Sequence, residues 1–159
     1  MKTFGQKMAG EVYTDREGVY LVCFQQDKLA VVRTKRGLFL PGGGIEGNES
    51  REECLCRELL EETGYAVRQL SYACSADIYT RHERIGAFHP IQHYYTGVLG
   101  EQICKPIEQH KLEWLPVSHV PEQLYVPAQA WAAQTCCLSL LENDAQAVPV
   151  GGMKKDINN

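Results

Sequence analysis

Long apolar runs are missing from the sequence: none approaches the roughly 20 residues that cross a bilayer, so a membrane-spanning helix is not expected. The opening Met1-Lys2-Thr3-Phe4-Gly5 lacks the apolar core of a signal peptide, which leads to the expectation of a soluble, cytoplasmic protein. No C-x-x-C pair occurs among the seven cysteines (23, 54, 56, 74, 104, 136 and 137), and their number is odd. Neither a zinc ribbon nor a disulfide framework fits, and free thiols are expected. Of the five histidines only His89 and His93 stand four apart, and Pro90 makes that stretch non-helical, so a shared zinc site is not expected. An excess of positive charge is missing too: 16 Lys+Arg against 20 Asp+Glu give a net charge of −4. That argues against sequence-independent binding to nucleic acid without excluding nucleotides. Repeats and low-complexity linkers are absent, and 159 residues of ordinary globular composition fit one packed domain.

What is present alternates between two periodicities. Val19–Phe24 and Leu29–Arg33 are β-rich runs joined by Gln25–Lys28, which reads as a hairpin. Leu38-Phe39-Leu40 leads into Pro41-Gly42-Gly43-Gly44, where helix and strand are both expected to stop. From Ser50 the pattern turns helical, with Ser50 and Glu53 set as a capping box and Gly64 as the stop. Ala66–Tyr79, Ile91–Leu99 and Leu112–Leu115 read as strands, and Pro127 opens a last helix through Leu141. The fold class expected from this order is a mixed α/β sandwich, one domain over 1–143 followed by a flexible tail over 144–159.

The chemistry concentrates between Gly43 and Tyr65. Seven acids against two bases give that segment a net charge of −5, so the remainder of the chain is +1. On a helix, Glu58 and Glu62 lie one turn apart on one face and Glu61 stands three residues from Glu58. Three carboxylates so placed repel one another, and a hard divalent cation, Mg²⁺ or Mn²⁺, is their natural partner because it takes oxygen ligands and leaves room for water and phosphate. Gly42 and Gly43 let the backbone pass close to such an ion and offer carbonyl oxygens. Glu49 stands between the glycines and the helix, and Arg57 is placed to pair with Glu49 or another carboxylate and fix its direction.

These residues resemble the Nudix box, G-x5-E-x7-R-E-U-x-E-E-x-G-U with U a bulky apolar residue. Gly43, Glu49, Arg57-Glu58-Leu59, Glu61-Glu62, Gly64 and Tyr65 occupy every specified position. Tyr65 is aromatic where an aliphatic residue is usual, and Cys54 stands where alanine is common. Phe39-Leu40-Pro41-Gly42-Gly43 before the box and Glu113-Trp114-Leu115-Pro116 after it extend the likeness over roughly residues 17 to 142. The N-terminal Phe4–Lys7 and Tyr13–Arg16 are similar to a bacterial subgroup of these hydrolases. The resemblance implies an α/β/α sandwich and Mg²⁺-dependent cleavage of a nucleoside diphosphate derivative to a nucleoside monophosphate and a phosphorylated remainder. Glu58, Glu61 and Glu62, with the Gly42 or Gly43 carbonyl, are the implied metal ligands. Glu49, Arg57 and Glu108 join them in the catalytic set, Glu108 as a candidate base outside the box with Glu101 and Glu83 as rivals.

Arg33, in a basic set with Lys35 and Arg36, is a candidate for phosphate, and Tyr79 approximates the tyrosine of dinucleoside-polyphosphate hydrolases. His82 is a candidate for the cleft wall. Partners implied are a small-molecule nucleotide and, as in many relatives, a second copy in a homodimer; neither membrane nor nucleic acid is expected. The competing reading is a Nudix-fold module that holds a nucleotide without turnover, against which the intact box argues.

Overall fold

The computed structural model describes residues 1–107 and 110–146. Its elements run β1 (Lys2–Phe4), β2 (Thr14–Val22), β3 (Phe24–Gln25), β4 (Lys28–Thr34), β5 (Gly37–Phe39), β6 (Gly42–Gly44), α1 (Arg51–Thr63), β7 (Tyr65–Ile78), β8 (Thr80–His82), β9 (Gly86–Gln102) and β10 (Lys111–Pro116). A short 3₁₀ turn (Val117–His119), α2 (Val120–Gln123) and α3 (Pro127–Gln146) follow. One mixed sheet has the order β1-β7-β9-β2-β6 with β8 hairpinned to β9; the β1–β7 and β2–β9 pairs are parallel and the others antiparallel. A smaller antiparallel sheet has the order β10-β4-β3, with β5 also on β4.

Strand parity explains the layers. In β2, Val19 and Leu21 point to one face and pack with Cys54, Leu55 and Leu59 of α1. Val22, with Tyr20 partly buried, points to the other and packs with Ala76, Tyr94 and the alanines of α3. Two helices thus cover opposite faces of the main sheet, the α/β/α sandwich that the box implied. Leu55 and Leu59 are fully buried, each contributing about 1.5–3 kcal/mol from removal of apolar surface from water. Among the described residues no helix is long and apolar enough to cross a membrane.

Two local expectations need correction. The hairpin is confined to β3 and β4, where Phe24 pairs with Leu29, and β2 leaves for the main sheet. The reason is burial: β2 has apolar side chains on both faces and so belongs between β9 and β6 rather than in a two-stranded ribbon. The glycine run does not end strand structure either; Gly42–Gly44 is itself an edge strand, antiparallel to β2. Gly42 sits at φ 140°, and a Cβ there would stand 2.1 Å from the Val19 carbonyl oxygen, so only bare backbone comes this close. Of the tail expected over 144–159, residues 144–146 belong to α3 and the remainder lies outside the described residues.

Candidate active site

The local chemistry of α1 fixes the site. Ser50 accepts from the Glu53 N–H, and the Glu53 carboxylate accepts from the Ser50 N–H at 2.7 Å, so the predicted capping box is formed. Gly64 ends the helix at φ 74°, its N–H donating to the Leu60 carbonyl. Between these stops, Cys54 and Leu59 are buried against the sheet, which turns the Glu58 and Glu62 side of the helix toward β6.

Arg57 is the hub. Its Nε and Nη2 donate to the two oxygens of Glu49 at 3.0 and 2.6 Å, Nη1 donates to Glu58 at 2.9 Å and Glu61 at 3.2 Å, and Nη2 also donates to the Gly44 carbonyl at 3.1 Å. The hydrogen bonds from Arg57, with that from the Glu46 N–H, hold the Glu49 carboxyl down at about 2. Glu62 is 6% exposed and takes the Gly42 N–H at 2.9 Å on one oxygen, with His110 Nδ1 3.4 Å from the other. Gly43 provides clearance: a Cβ there would stand 2.4 Å from the Glu58 carboxyl carbon. Its carbonyl accepts the Cys54 thiol at 3.8 Å, and burial, reinforced by Glu49, pushes that thiol up to about 12, so Cys54 stays protonated.

The donor set suits a hard cation. Glu58, Glu61 and Glu62 offer only oxygen, beside a strand with no side chains of its own, a donor chemistry of the kind that hard divalent cations take together with water. Among the described residues no three His, Cys, Asp or Glu side chains stand as a closed metal cluster. Arg57 instead spans Glu49, Glu58 and Glu61.

Two cavities share Tyr20, Arg36 and Phe39, and the first of them reaches this helix. The first, about 960 Å³, reaches Gly42 and Glu62 and is walled by Arg33, Lys35, Lys111 and His110. The second, about 580 Å³, is walled by Phe88, Tyr125, Gln92, Gln129, Arg16 and His82. Burial, with the charges of Glu62 and Glu58, pushes the Tyr20 phenol at the junction up to about 12.

Of the sequence candidates, Glu49, Arg57, Glu58 and Glu61 meet through Arg57, and Gly42 meets Glu62 directly. Arg33 lines the first cavity while gripping Glu113 through two hydrogen bonds of 2.7 and 2.8 Å, and His82 lines the second. Tyr79 is not brought to the box: its ring stacks on His89 with centroids 4.3 Å apart and meets Tyr13 edge-on. Glu83 and Glu101 are exposed, and neither lines the two cavities. Glu108 lies outside the described residues. Sequence reasoning missed Arg16, Tyr20, Gln92, Gln129 and a role for His110. The first three share strand parity with Gly18, since β9 pairs Arg16 with Pro90, Gly18 with Gln92 and Tyr20 with Tyr94. That signal emerges only once the β2–β9 register is known.

A family model described as NUDIX domain matches residues 12–135. A Bacillus subtilis protein named "Putative 8-oxo-dGTP diphosphatase" is 31% identical over 113 residues, covering 69% of this chain and 71% of that protein. The NAD-capped RNA hydrolase NudC of Pseudomonas entomophila is 35% identical over 79 residues, 50% of this chain and 27% of its own length. Among solved structures, the MutT NUDIX hydrolase from Burkholderia pseudomallei superposes with a TM-score of 0.64 at 21% identity, covering 77% of this chain and 98% of that one.

Proposed function

The chain belongs to the Nudix family, and from that membership we propose that it hydrolyses the pyrophosphate link of a nucleoside diphosphate derivative using Mg²⁺ or Mn²⁺. Nudix hydrolases generally use divalent metal ions. Glu58, Glu61 and Glu62, with the carbonyl of Gly42 or Gly43, would hold the cation. When bound, it neutralises charge on the phosphate oxygens and templates attack by water.

The observation that carries this reading is the pair of anchors on the box: Gly42 N–H fixes Glu62, and Arg57 gathers Glu49, Glu58 and Glu61. Carboxylates held in this way supply negative charge without rearrangement. Lys35 and Lys111, which line the first cavity with Glu62, favour the phosphate chain by their charge, and Arg33 joins them while paired with Glu113. Glu49, kept ionised by Arg57, serves orientation and is a weak proton acceptor. For proton uptake from water the proposal keeps Glu108.

The test is phosphate release from nucleoside triphosphates, oxidised nucleotides, sugar nucleotides and dinucleoside polyphosphates with Mg²⁺, beside Glu62→Gln. Turnover of one class, impaired in Glu62→Gln, supports the reading. No turnover of any class, or an unimpaired Glu62→Gln, overturns it.

A further inference from the structure

Gln92 and Gln129 line the second cavity and are 7% and 1% exposed, one on β9 and the other in the first turn of α3. Each amide oxygen already accepts one hydrogen bond. The Leu40 N–H donates to Gln129 Oε1 at 2.8 Å, and the Tyr94 hydroxyl donates to Gln92 Oε1 at 2.6 Å. Neither amide nitrogen has a hydrogen-bond partner among the described residues, and neither is counted among the fully enclosed unpaired atoms, so both remain open to a partner in the cavity. A backbone N–H can only donate, so turning the Gln129 amide over would set donor against donor; its orientation is fixed. Gln129 therefore presents a donor to the cavity, and Gln92 does the same in the orientation in which it accepts from Tyr94, so the cavity suits a ligand with acceptors.

The rest of the wall suits a flat ring. Phe39 and Tyr125 lie with centroids 5.1 Å apart, and Phe88 lines the same cavity. Two of the cations in the wall are engaged: Arg81 pairs with Glu11, and Arg36 lies over Tyr125 at 5.5 Å. The first cavity, with Lys35, Lys111 and Glu62, is the better place for phosphate and metal, which leaves this one for the base.

Resting on the Nudix hydrolase reading, we propose that the second cavity seats the base of the nucleotide and that Gln92 and Gln129 select keto bases over amino bases. Guanine and hypoxanthine at C6, and uracil and thymine at C4, offer carbonyl acceptors to the amide nitrogens. Adenine and cytosine offer an exocyclic NH₂ at those positions and leave donor facing donor. A site built to donate discriminates strongly against a ligand lacking the acceptor, because its own buried donors are then left unpaired.

Nucleoside monophosphates probe this without turnover, since a monophosphate is the product shared by every such substrate. Calorimetric titration of the full chain is expected to give IMP at least about tenfold tighter binding than AMP, and UMP the same advantage over CMP. Equal affinities, tighter AMP, or undetectable binding of all four overturn the proposal. Gln129→Glu keeps one oxygen for the Leu40 N–H and turns the donor into an acceptor, so the IMP preference is expected to vanish or reverse. Gln92→Glu makes the same exchange on β9 and decides the matter if Gln129→Glu does not fold; an unchanged ratio in a folded variant overturns the assignment. Turnover of ITP and ATP with Mg²⁺ separates the two readings. A binding preference without hydrolysis of either, or of the oxidised nucleotides, sugar nucleotides and dinucleoside polyphosphates, sinks the hydrolase reading alone, whereas equal turnover with equal binding sinks the keto-base reading alone.

Discussion

The main-chain N–H of Gly42 donates to Glu62 Oε2 at 2.9 Å, so an edge strand sets the direction of a carboxylate twenty residues further along the chain. Gly43, the next residue, clears the space for Glu58. The two glycines therefore have different jobs, and substitution separates them.

At Gly42 an added Cβ meets the Val19 carbonyl oxygen and the backbone keeps φ 140°, so Gly42→Ala is expected to destabilise the fold by about 3 kcal/mol or more. At Gly43 the obstacle is the end of a flexible side chain. Gly43→Ala is expected to displace Glu58, keep Tm close to wild type and lower kcat by about 10²-fold. Thermal unfolding and steady-state kinetics on the two variants check this; a reversed pattern refutes it.

Arg57→Lys keeps the charge and loses the fork that grips Glu49, Glu58 and Glu61 together. Activity is expected to fall about 10- to 100-fold. The Glu49 carboxyl, held at about 2 by Arg57, is expected to move up toward its ordinary value, which carboxyl-carbon NMR titration would read directly.

His89 lies 2.9 Å from Asp77 and 2.8 Å from Asp15 through its two ring nitrogens. Burial works against its charged form, but the hydrogen bonds to Asp77 and Asp15 outweigh burial and raise its pKa. For Asp77, burial is likewise outweighed, by the hydrogen bonds from His89 and Thr3, and its pKa is lowered. The His89 contribution is complete below the unfolded histidine value of about 6.5 and is lost as pH rises through the raised folded value. The Asp77 contribution is present above about 3.9 and is lost as pH falls through the lowered one. The Tm difference between wild type and His89→Gln is therefore expected to be largest near pH 5 to 6 and to shrink toward pH 9; a gap that widens with pH would contradict the pairing.

Ser50 contributes through the capping box alone, away from both cavities. Ser50→Ala is expected to cost about 1 kcal/mol in denaturant unfolding with KM unchanged.

Chelation of divalent ions is expected to abolish hydrolysis, and added Mg²⁺ or Mn²⁺ to restore it. Glu62→Gln should need a higher ion concentration for half-maximal rate, measured by metal titration of the initial velocity.

The sequence by itself determined what depends on neighbours along the chain. The capping box, the Gly64 stop and the i,i+4 placement of Glu58 and Glu62 are helix geometry, readable from spacing. The pairing of Arg57 with Glu49 follows from charge and proximity. Tertiary structure decided what depends on register between distant strands. It made an edge strand of Gly42–Gly44, because β2 needed a partner on that side and only bare backbone fits beside Val19. It drew Tyr79 onto His89 instead of the box, and it set Arg33 against Glu113. The second cavity, and the two amides whose oxygens are already bonded, exist only where β2, β9 and α3 meet. No local pattern encodes that meeting, because hydrogen-bond partners such as Leu40 and Gln129 stand eighty-nine residues apart.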